Sequence, residues 1–511
     1  RKPKTSVEHT PMCDALQLYG SKPKFYKPVM HNWVPWRIAA MDTLIQSNHM
    51  DTLVLRKCRM EFERDILSTL KQTDLNEFMI YDLNTAINGA PGVAYVDKVN
   101  RQSSAGFPWC HKKKFLMIEL PPTDKMQDPI TFTDEVLNRT QEVFEAYDNG
   151  CRYMPVFNAH LKDEPVSKKK HDMGKTRVFT AAPLDFTLAV RMTTLGFIRL
   201  LQKNRYVFEA APGTIAQSLE WEEMYDYLTQ HGTDRIVAGD YKAFDKNMSA
   251  IIMLEAFEII KTIAKHSETF DQTKLHYIDG IALDTSYPLV NFNGDLIQFY
   301  GSNPSGHPLT VIINSLVNSL YVRYCYYMLN PEKEVTTFKE NVKLMTYGDD
   351  NIMGISENVG WFNHTSISTQ LNECGITYTM ADKEAKSIPY IHIQEATFLK
   401  RSWVYDHDVK AMLAPLDHES IEKMLTVWTK SMTINSKAQC IAVISSAIRE
   451  YFFYGKNIYE EKIKMFETVI MQCNLLDYIT ESTLPTYKDL IENFYISSKH
   501  MRTEIYRTRV N

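Results

Sequence analysis

The sequence has no CxxC pair, no fixed-period repeat, no low-complexity run and no unbroken apolar stretch of membrane-spanning length. Its eight cysteines (Cys13, Cys58, Cys110, Cys151, Cys325, Cys374, Cys440 and Cys473) are scattered, which argues against a zinc site and fits free thiols in a reducing compartment. The most apolar long stretch, 308–328, is interrupted by Asn314, Asn318 and Arg323, so it reads as a buried helix rather than a membrane span. Residues 1–10 carry no signal-peptide pattern and the chain does not begin with Met, which fits release from a larger precursor. A strong charge bias is missing too: the net charge is −5, so any affinity for nucleic acid must come from local patches.

What is present is a long, ordinary globular composition. With 511 residues, 44% hydrophobic and 12% aromatic, the chain should split into two or three packed subdomains. Lysine and arginine crowd 101–114 and 162–177; these runs read either as solvated loops or as a basic channel on a mildly acidic body. Residues 1–100 give mixed helix and loop signals, and 101–190 look like loops and strands. Beyond about residue 405, apolar residues recur at helical spacing and predict a mostly helical tail.

Two acidic clusters occupy the middle of the chain. Arg235-Ile236-Val237-Ala238-Gly239 predicts a short apolar strand running into Asp240-Tyr241-Lys242-Ala243-Phe244-Asp245. The segment 342–354 reads strand, tight Gly348-Asp349-Asp350 turn, strand, a β-hairpin pattern. Carboxylates presented from adjacent strand ends can hold two hard cations side by side for an in-line phosphoryl displacement. Alone, Gly-Asp-Asp is a common hairpin turn; its meaning comes from what lies around it. Between the acids, Ser305-Gly306 gives a flexible loop and Pro308 suits the first turn of a helix. In that helix Leu309, Ile312, Ile313, Leu316 and Leu320 form an apolar stripe, while Thr310, Asn314 and Asn318 recur at four-residue spacing on a separate polar face. A buried polar face needs partners, either a ribose hydroxyl or neighbouring backbone.

Taken together, these segments resemble the RNA-dependent RNA polymerases of picorna-like positive-strand RNA viruses over roughly residues 100–402. Asp240 and Asp245 match the first palm motif; Ser305-Gly306, Thr310 and Asn314 the second; Tyr347-Gly348-Asp349-Asp350 the third. Met380-Ala381-Asp382-Lys383 resembles the fourth and Phe398-Leu399-Lys400-Arg401 the primer-gripping fifth. Upstream, Ser103-Ser104-Ala105-Gly106-Phe107-Pro108 resembles the template-entrance motif, and Lys162-Asp163-Glu164 through Gly174-Lys175-Thr176-Arg177 the basic motif over the incoming nucleotide.

The resemblance implies roles. Asp240 and Asp349 are the main ligands of two Mg²⁺ ions, with the Tyr241 carbonyl and Asp350 assisting; whether Mn²⁺ can replace Mg²⁺ stays open. Asp245, Ser305, Thr310 and Asn314 test for a ribose 2′-hydroxyl. Lys162, Lys170 and Arg177 contact the triphosphate, and Lys383 protonates departing pyrophosphate. Ser104 and Gly106 meet the template, and Lys400 and Arg401 hold the primer. The sequence departs from the picornavirus pattern at Val166, where arginine is frequent, and at Gly239 before the first acid. The tail after 405 is longer, and Asn303-Pro304-Ser305-Gly306-His307-Pro308 leans toward insect, plant or algal relatives of dicistrovirus type. Most of the single residues have duller readings: Lys383 alone would be a surface lysine, and Phe398-Leu399 would be core.

The expected fold is an α+β right hand: fingers from 1–190 with 250–290, a palm of antiparallel sheet backed by helices from 191–249 and 291–404, and a helical thumb from 405–511. Expected partners are an RNA template and primer, NTPs, a small viral protein primer and other replication proteins, with no membrane span. The expected location is the host cytoplasm at membrane-associated replication complexes. Two competing functions stand beside this one. A reverse transcriptase usually carries a bulky aromatic where Asp245 stands, whereas an acid paired with Asn314 accepts a 2′-hydroxyl. A catalytically silent RNA-binding scaffold has no need of Asp240, Asp349, Asp350 and Lys383 together. A P-loop reading of Gly174-Lys175-Thr176 fails, because the glycine it requires is Lys169.

Overall fold

A computed structural model describes residues 4–44, 49–382 and 385–509. At its centre four strands form an antiparallel sheet: β1 (Ile236–Tyr241), β2 (Val342–Tyr347), β3 (Asp350–Ile355) and β4 (Tyr378–Met380), in the order β2-β3-β1-β4. Alternation along β1 explains why both faces are covered. Ile236 and Ala238 join a core with Trp221, Met224 and Leu228 of helix α1 (Glu220–Leu228). Val237 and Tyr241 face a second core supplied by helices α2 (Ala250–His266), α3 (Thr310–Leu329) and α4 (His364–Glu373). Helix α3 is buried almost throughout, and the helix Thr52–Thr69 packs against both it and α2.

Arg323 shows how a charge survives inside that core. Its guanidinium lies between the rings of Phe62 and Phe338 and pairs with the fully buried Glu209 through Nη1 at 2.6 Å. Burial raises the Glu209 carboxyl, but Arg323 and Lys339 more than offset it and hold it below the usual carboxylate range. Glu209 takes left-handed backbone (φ 55°), and its carbonyl accepts from both the amide and the hydroxyl of Thr346 on β2. A buried pair of this kind is weak evidence of added stability and stronger evidence of a fixed register; here it ties α3 to the strand that leads to Gly348.

A second sheet runs Asp295–Gln298, Leu289–Phe292, Val156–Leu161, Val178–Ala181. The middle pair is parallel and the others antiparallel. Helices 134–148 and 184–203 pack on one another in the region expected to hold loops and strands. Its lysines and prolines concealed the first of these, whose Val136, Thr140, Val143, Phe144 and Tyr147 are buried at helical spacing. The C-terminal region is mostly helical, with Ser436–Tyr451, Lys456–Gln472 and Tyr487–Arg509, but it also contains the short strands Val404–Asp406, Ala411–Leu413 and Val427–Thr429. The N-terminal segment reaches across the molecule. Val7–His9 pairs with Val427–Thr429, and Phe25–Tyr26 pairs with Val166–Ser167 beside the basic run.

Candidate active site

The acids gather where the central sheet runs out. Asp240 is the penultimate residue of β1, and Tyr347 pairs with Asp350, leaving Gly348-Asp349 as a two-residue turn. Gly348 sits at φ 62°, backbone that a side chain strains. Asp349 is exposed at the tip, and Asp350 is half-buried. Asn351 pairs with Gly239, so the register carried one residue further sets Asp350 opposite Asp240.

Beneath the turn lies a buried polar scaffold. Ser315 Oγ accepts from the Gly348 amide at 3.0 Å, and Asn318 Nδ2 donates to the carbonyls of Gly348 (2.9 Å) and Asp350 (3.2 Å). Asn318 Oδ1 accepts from Tyr241 Oη and Asn351 Nδ2, and Tyr378 Oη donates to Asn351 Oδ1 at 2.7 Å. The chain of bonds joins β1, α3, the hairpin and β4, so the acid-bearing ends share one framework. It also explains Gly239. A Cβ there would stand 2.0 Å from the ring of Tyr378, so glycine makes room for the tyrosine that supports Asn351.

Asp245 returns to this cluster because Ala243, at φ 51°, turns the chain out of β1 into a short helix at Phe244–Asn247. Burial, then the charge of Asp349, pushes its carboxyl up to about 6 against the opposing hydrogen bond from Asn314 Nδ2. Helix α3 begins at Thr310 with Leu309 as its cap, so Pro308 precedes the helix instead of opening it. The buried His307 takes the capping role, its Nδ1 accepting from the Leu309 amide at 3.0 Å. Thr310 Oγ1 donates to the Pro304 and His307 carbonyls and so closes the loop. Ser305 meets the strand Val178–Ala181, where the Thr180 amide donates to Ser305 Oγ and the Gly306 amide donates to the Thr180 carbonyl. A Cβ on Gly306 would fall 2.5 Å from that carbonyl oxygen, so glycine is required by the contact.

The basic residues are held more loosely. Lys162 and Arg177 flank Glu164, at 3.2 and 3.4 Å, with 43% and 64% of their side chains exposed. Arg177 is close enough for its charge to lower the Asp245 carboxyl. Lys170 lies exposed on the short helix Lys168–Asp172. At the expected template entrance, Gly106 (φ 73°) approaches Pro183 so closely that a Cβ would sit 2.8 Å from its Cα. The Ser104 carbonyl accepts from Lys113 Nζ at 3.0 Å. Burial brings Lys113 down to about 8; it supports the loop from within, and sequence reading counted it only as part of a basic run.

The fifth segment corrects an expectation. Phe398 and Arg401 exchange backbone hydrogen bonds around Leu399 (φ 55°) and Lys400 (φ 60°), a type I′ turn that exposes Lys400. Arg401 is buried. Its guanidinium forks onto Glu450 at 2.8 and 2.9 Å and also donates to the Ala414 carbonyl. A bidentate pair of this geometry is strong, so Arg401 joins this turn to the C-terminal helices and is not open to an RNA phosphate. Lys383 lies outside the described residues.

Among the described residues no three acidic, histidine or cysteine side chains are already drawn together as a metal cage. The donor chemistry nevertheless fits hard divalent ions. Asp240 and Asp350 stand opposite one another at adjacent strand ends with Asp349 at the turn beside them, and the Asp349 charge helps push the Asp245 carboxyl up, a repulsion that a cation would relieve.

Acids at the ends of an antiparallel sheet, a polar-faced helix beneath them and basic loops beside them define a nucleic-acid polymerase of the right-hand type. The chain belongs to the viral RNA-dependent RNA polymerase family, whose pattern it matches over residues 20–466. It is 29% identical over 445 residues to the replicase polyprotein of Cricket paralysis virus, covering 83% of this chain and 25% of the polyprotein. With that of Drosophila C virus it shares 30% identity over 410 residues, 77% of this chain and 23% of the polyprotein. The chain thus spans about a quarter of the curated relatives it matches. Its fold is similar to that of a Sicinivirus 3Dpol RNA dependent RNA polymerase, with a TM-score of 0.74, 97% of both chains covered and 19% identity. The lean of 303–308 toward insect, plant or algal relatives of dicistrovirus type agrees with these relatives.

Proposed function

We propose that the chain performs RNA-templated RNA synthesis, joining NTPs to a primer 3′-hydroxyl in the replication of a viral RNA genome. The observation that carries this reading is the register that sets Asp350 opposite Asp240, with Asp349 at the adjoining turn, over one buried polar scaffold. Asp240, Asp349 and Asp350, with the Tyr241 carbonyl, would hold divalent cations, Mg²⁺ or Mn²⁺ in its place. When bound, such ions activate the attacking hydroxyl and neutralise charge developing on the phosphates. Asp245, oriented by Asn314, accepts the ribose 2′-hydroxyl, with Ser305 and Thr310 shaping the loop beside it. Lys162, Lys170 and Arg177 attract the triphosphate, Lys383 supplies the proton to leaving pyrophosphate, Lys400 meets the primer backbone, and Ser104 and Gly106 border the template path.

Within the right hand, we assign fingers to 1–190 with 250–290, palm to 191–249 and 291–404, and thumb to 405–511. Leu289–Phe292 pairs with Val156–Leu161, and Asp295–Gln298 pairs in turn with Leu289–Phe292, which supports extending the fingers to 298 at the palm's expense. Among the described residues no helix is long and apolar enough to cross a membrane. We place the chain in the host cytoplasm at membrane-associated replication complexes, with a small viral protein as the candidate primer. The acid at 245 favours this reading over a reverse transcriptase.

The test is primer extension on an RNA template with NTPs or dNTPs, comparing the native chain with Asp349→Asn. Cation-dependent extension with NTPs, lost in the variant, is the expected result. Preference for dNTPs would indicate a reverse transcriptase, and RNA binding without extension would indicate a missing primer protein or a silent scaffold.

A further inference from the structure

The loop before helix α3 contains an asparagine to which neither the acids nor the basic loops give a task. Asn303 is buried, with 3% of its surface exposed. Its Nδ2 donates to Asn314 Oδ1 at 2.7 Å and to the Thr310 carbonyl at 3.3 Å. Its amide donates to the Asp245 carbonyl at 3.0 Å. Its own Oδ1 has no partner among the described residues. A buried amide oxygen without a partner is uncommon and calls for a reason.

The reason follows from the direction of the bonds. A side-chain amide has one donating and one accepting end, and an ionised carboxylate only accepts. Asn314 must therefore turn its Nδ2 to Asp245, as it does, which leaves Oδ1 pointing the other way. Asn303 Nδ2 meets that oxygen and makes the orientation unique. Without a donor at 303, Asn314 Oδ1 loses its partner and the amide is held in place by its bond to Asp245 alone; an acceptor at 303 would repel that oxygen and pull the amide, and Asp245 with it, out of line.

We propose that Asn303 is a positioning residue for sugar selection, locking the Asn314 amide so that Asp245 stays aimed at the ribose 2′-hydroxyl. This rests on the reading of Asp245 and Asn314 as the ribose sensor. The role requires a donor at 303 and makes no demand on its oxygen, which matches the unpartnered Oδ1.

The isosteric change Asn303→Asp replaces the donor with an acceptor. Single-nucleotide incorporation opposite a templating uridine is measured with ATP and with dATP for native protein, Asn303→Asp and Asn314→Ala. For Asn303→Asp, kcat/KM with ATP should fall about tenfold while dATP, which lacks the sensed hydroxyl, changes little. The ATP-to-dATP ratio therefore falls about tenfold. Equal losses with both nucleotides would mark a merely structural residue and overturn the proposal, as would no loss with either. If Asn314→Ala leaves the ratio unchanged, the ribose reading itself fails. If Asn314→Ala lowers it and Asn303→Asp does not, only the role of Asn303 is lost. Should Asn303→Asp fail to fold, Asn303→Ser (hydroxyl donor kept) and Asn303→Ala (donor removed) supply the contrast. A higher ratio in the serine variant supports the proposal, and equal ratios overturn it.

Discussion

The two parts of the site that would meet the same nucleotide are built in opposite ways. The acid-bearing strand ends rest on Ser315, Asn318, Asn351, Tyr241 and Tyr378, a chain of bonds among buried groups. The basic loop carries a partly exposed Lys162 and a mostly exposed Arg177 around the single carboxylate of Glu164. Groups that hold cations act over short distances and need fixed oxygens. Cations that attract a triphosphate act through a field that tolerates motion. Exposed ion pairs contribute little to stability, so the loop can exchange Glu164 for phosphate at small cost. Rigidity is concentrated where position decides the chemistry.

The largest effect should come from the tip of the hairpin. Asp349→Asn is expected to lower primer extension by about a thousandfold or more while leaving the thermal melting profile unchanged. Appreciable extension by that variant would remove Asp349 from its central role.

The scaffold beneath comes next. Gly239→Ala should destabilise the fold by about 3 kcal/mol in urea titration, because its Cβ would enter the ring of Tyr378. In a Tyr378→Leu background the same change should cost less than about 1 kcal/mol. An undiminished cost would mean that the two residues do not share one space.

His307 tests the buried side through pH. Burial holds its imidazole down to about 3, far below the ordinary histidine value of about 6.5. The folded protein keeps it neutral while the unfolded chain takes up a proton, so its contribution is full above the unfolded value and lost as pH falls toward the folded one. Between pH 8 and pH 5 that loss is about 2 kcal/mol. His307→Gln should flatten the dependence of the urea midpoint over this range. An identical slope would assign the pH effect to other groups.

The basic loop should respond most mildly. Arg177→Ala is expected to raise the KM for NTP about tenfold at low salt, with a smaller change at high salt and little in kcat. A large, salt-independent loss of kcat would place Arg177 among the rigid groups instead.

The order of chemistry was legible along the chain. Asp240, Asp245, Asn314 and the Gly348-Asp349-Asp350 turn stand out because strand ends, glycine turns and four-residue polar spacing are local patterns. The helix at 134–148 was hidden by its lysine- and proline-rich surroundings, and Pro308 suggested a helix start two residues early. Arg401 shows the other limit. Its motif suggested an RNA contact, but the partner that claims it, Glu450, lies far along the chain.

Sequence alone thus determined where the candidate acids and the tight turn lie, since a carboxylate at a strand end or a glycine turn is defined by residue type and near neighbours. Only the tertiary structure decided what holds them. It set Tyr378 over Gly239, Arg323 between Phe62 and Phe338, and Asn303 against Asn314. These are contacts between segments brought together by burial, and the direction of a buried hydrogen bond depends on partners that local spacing does not specify.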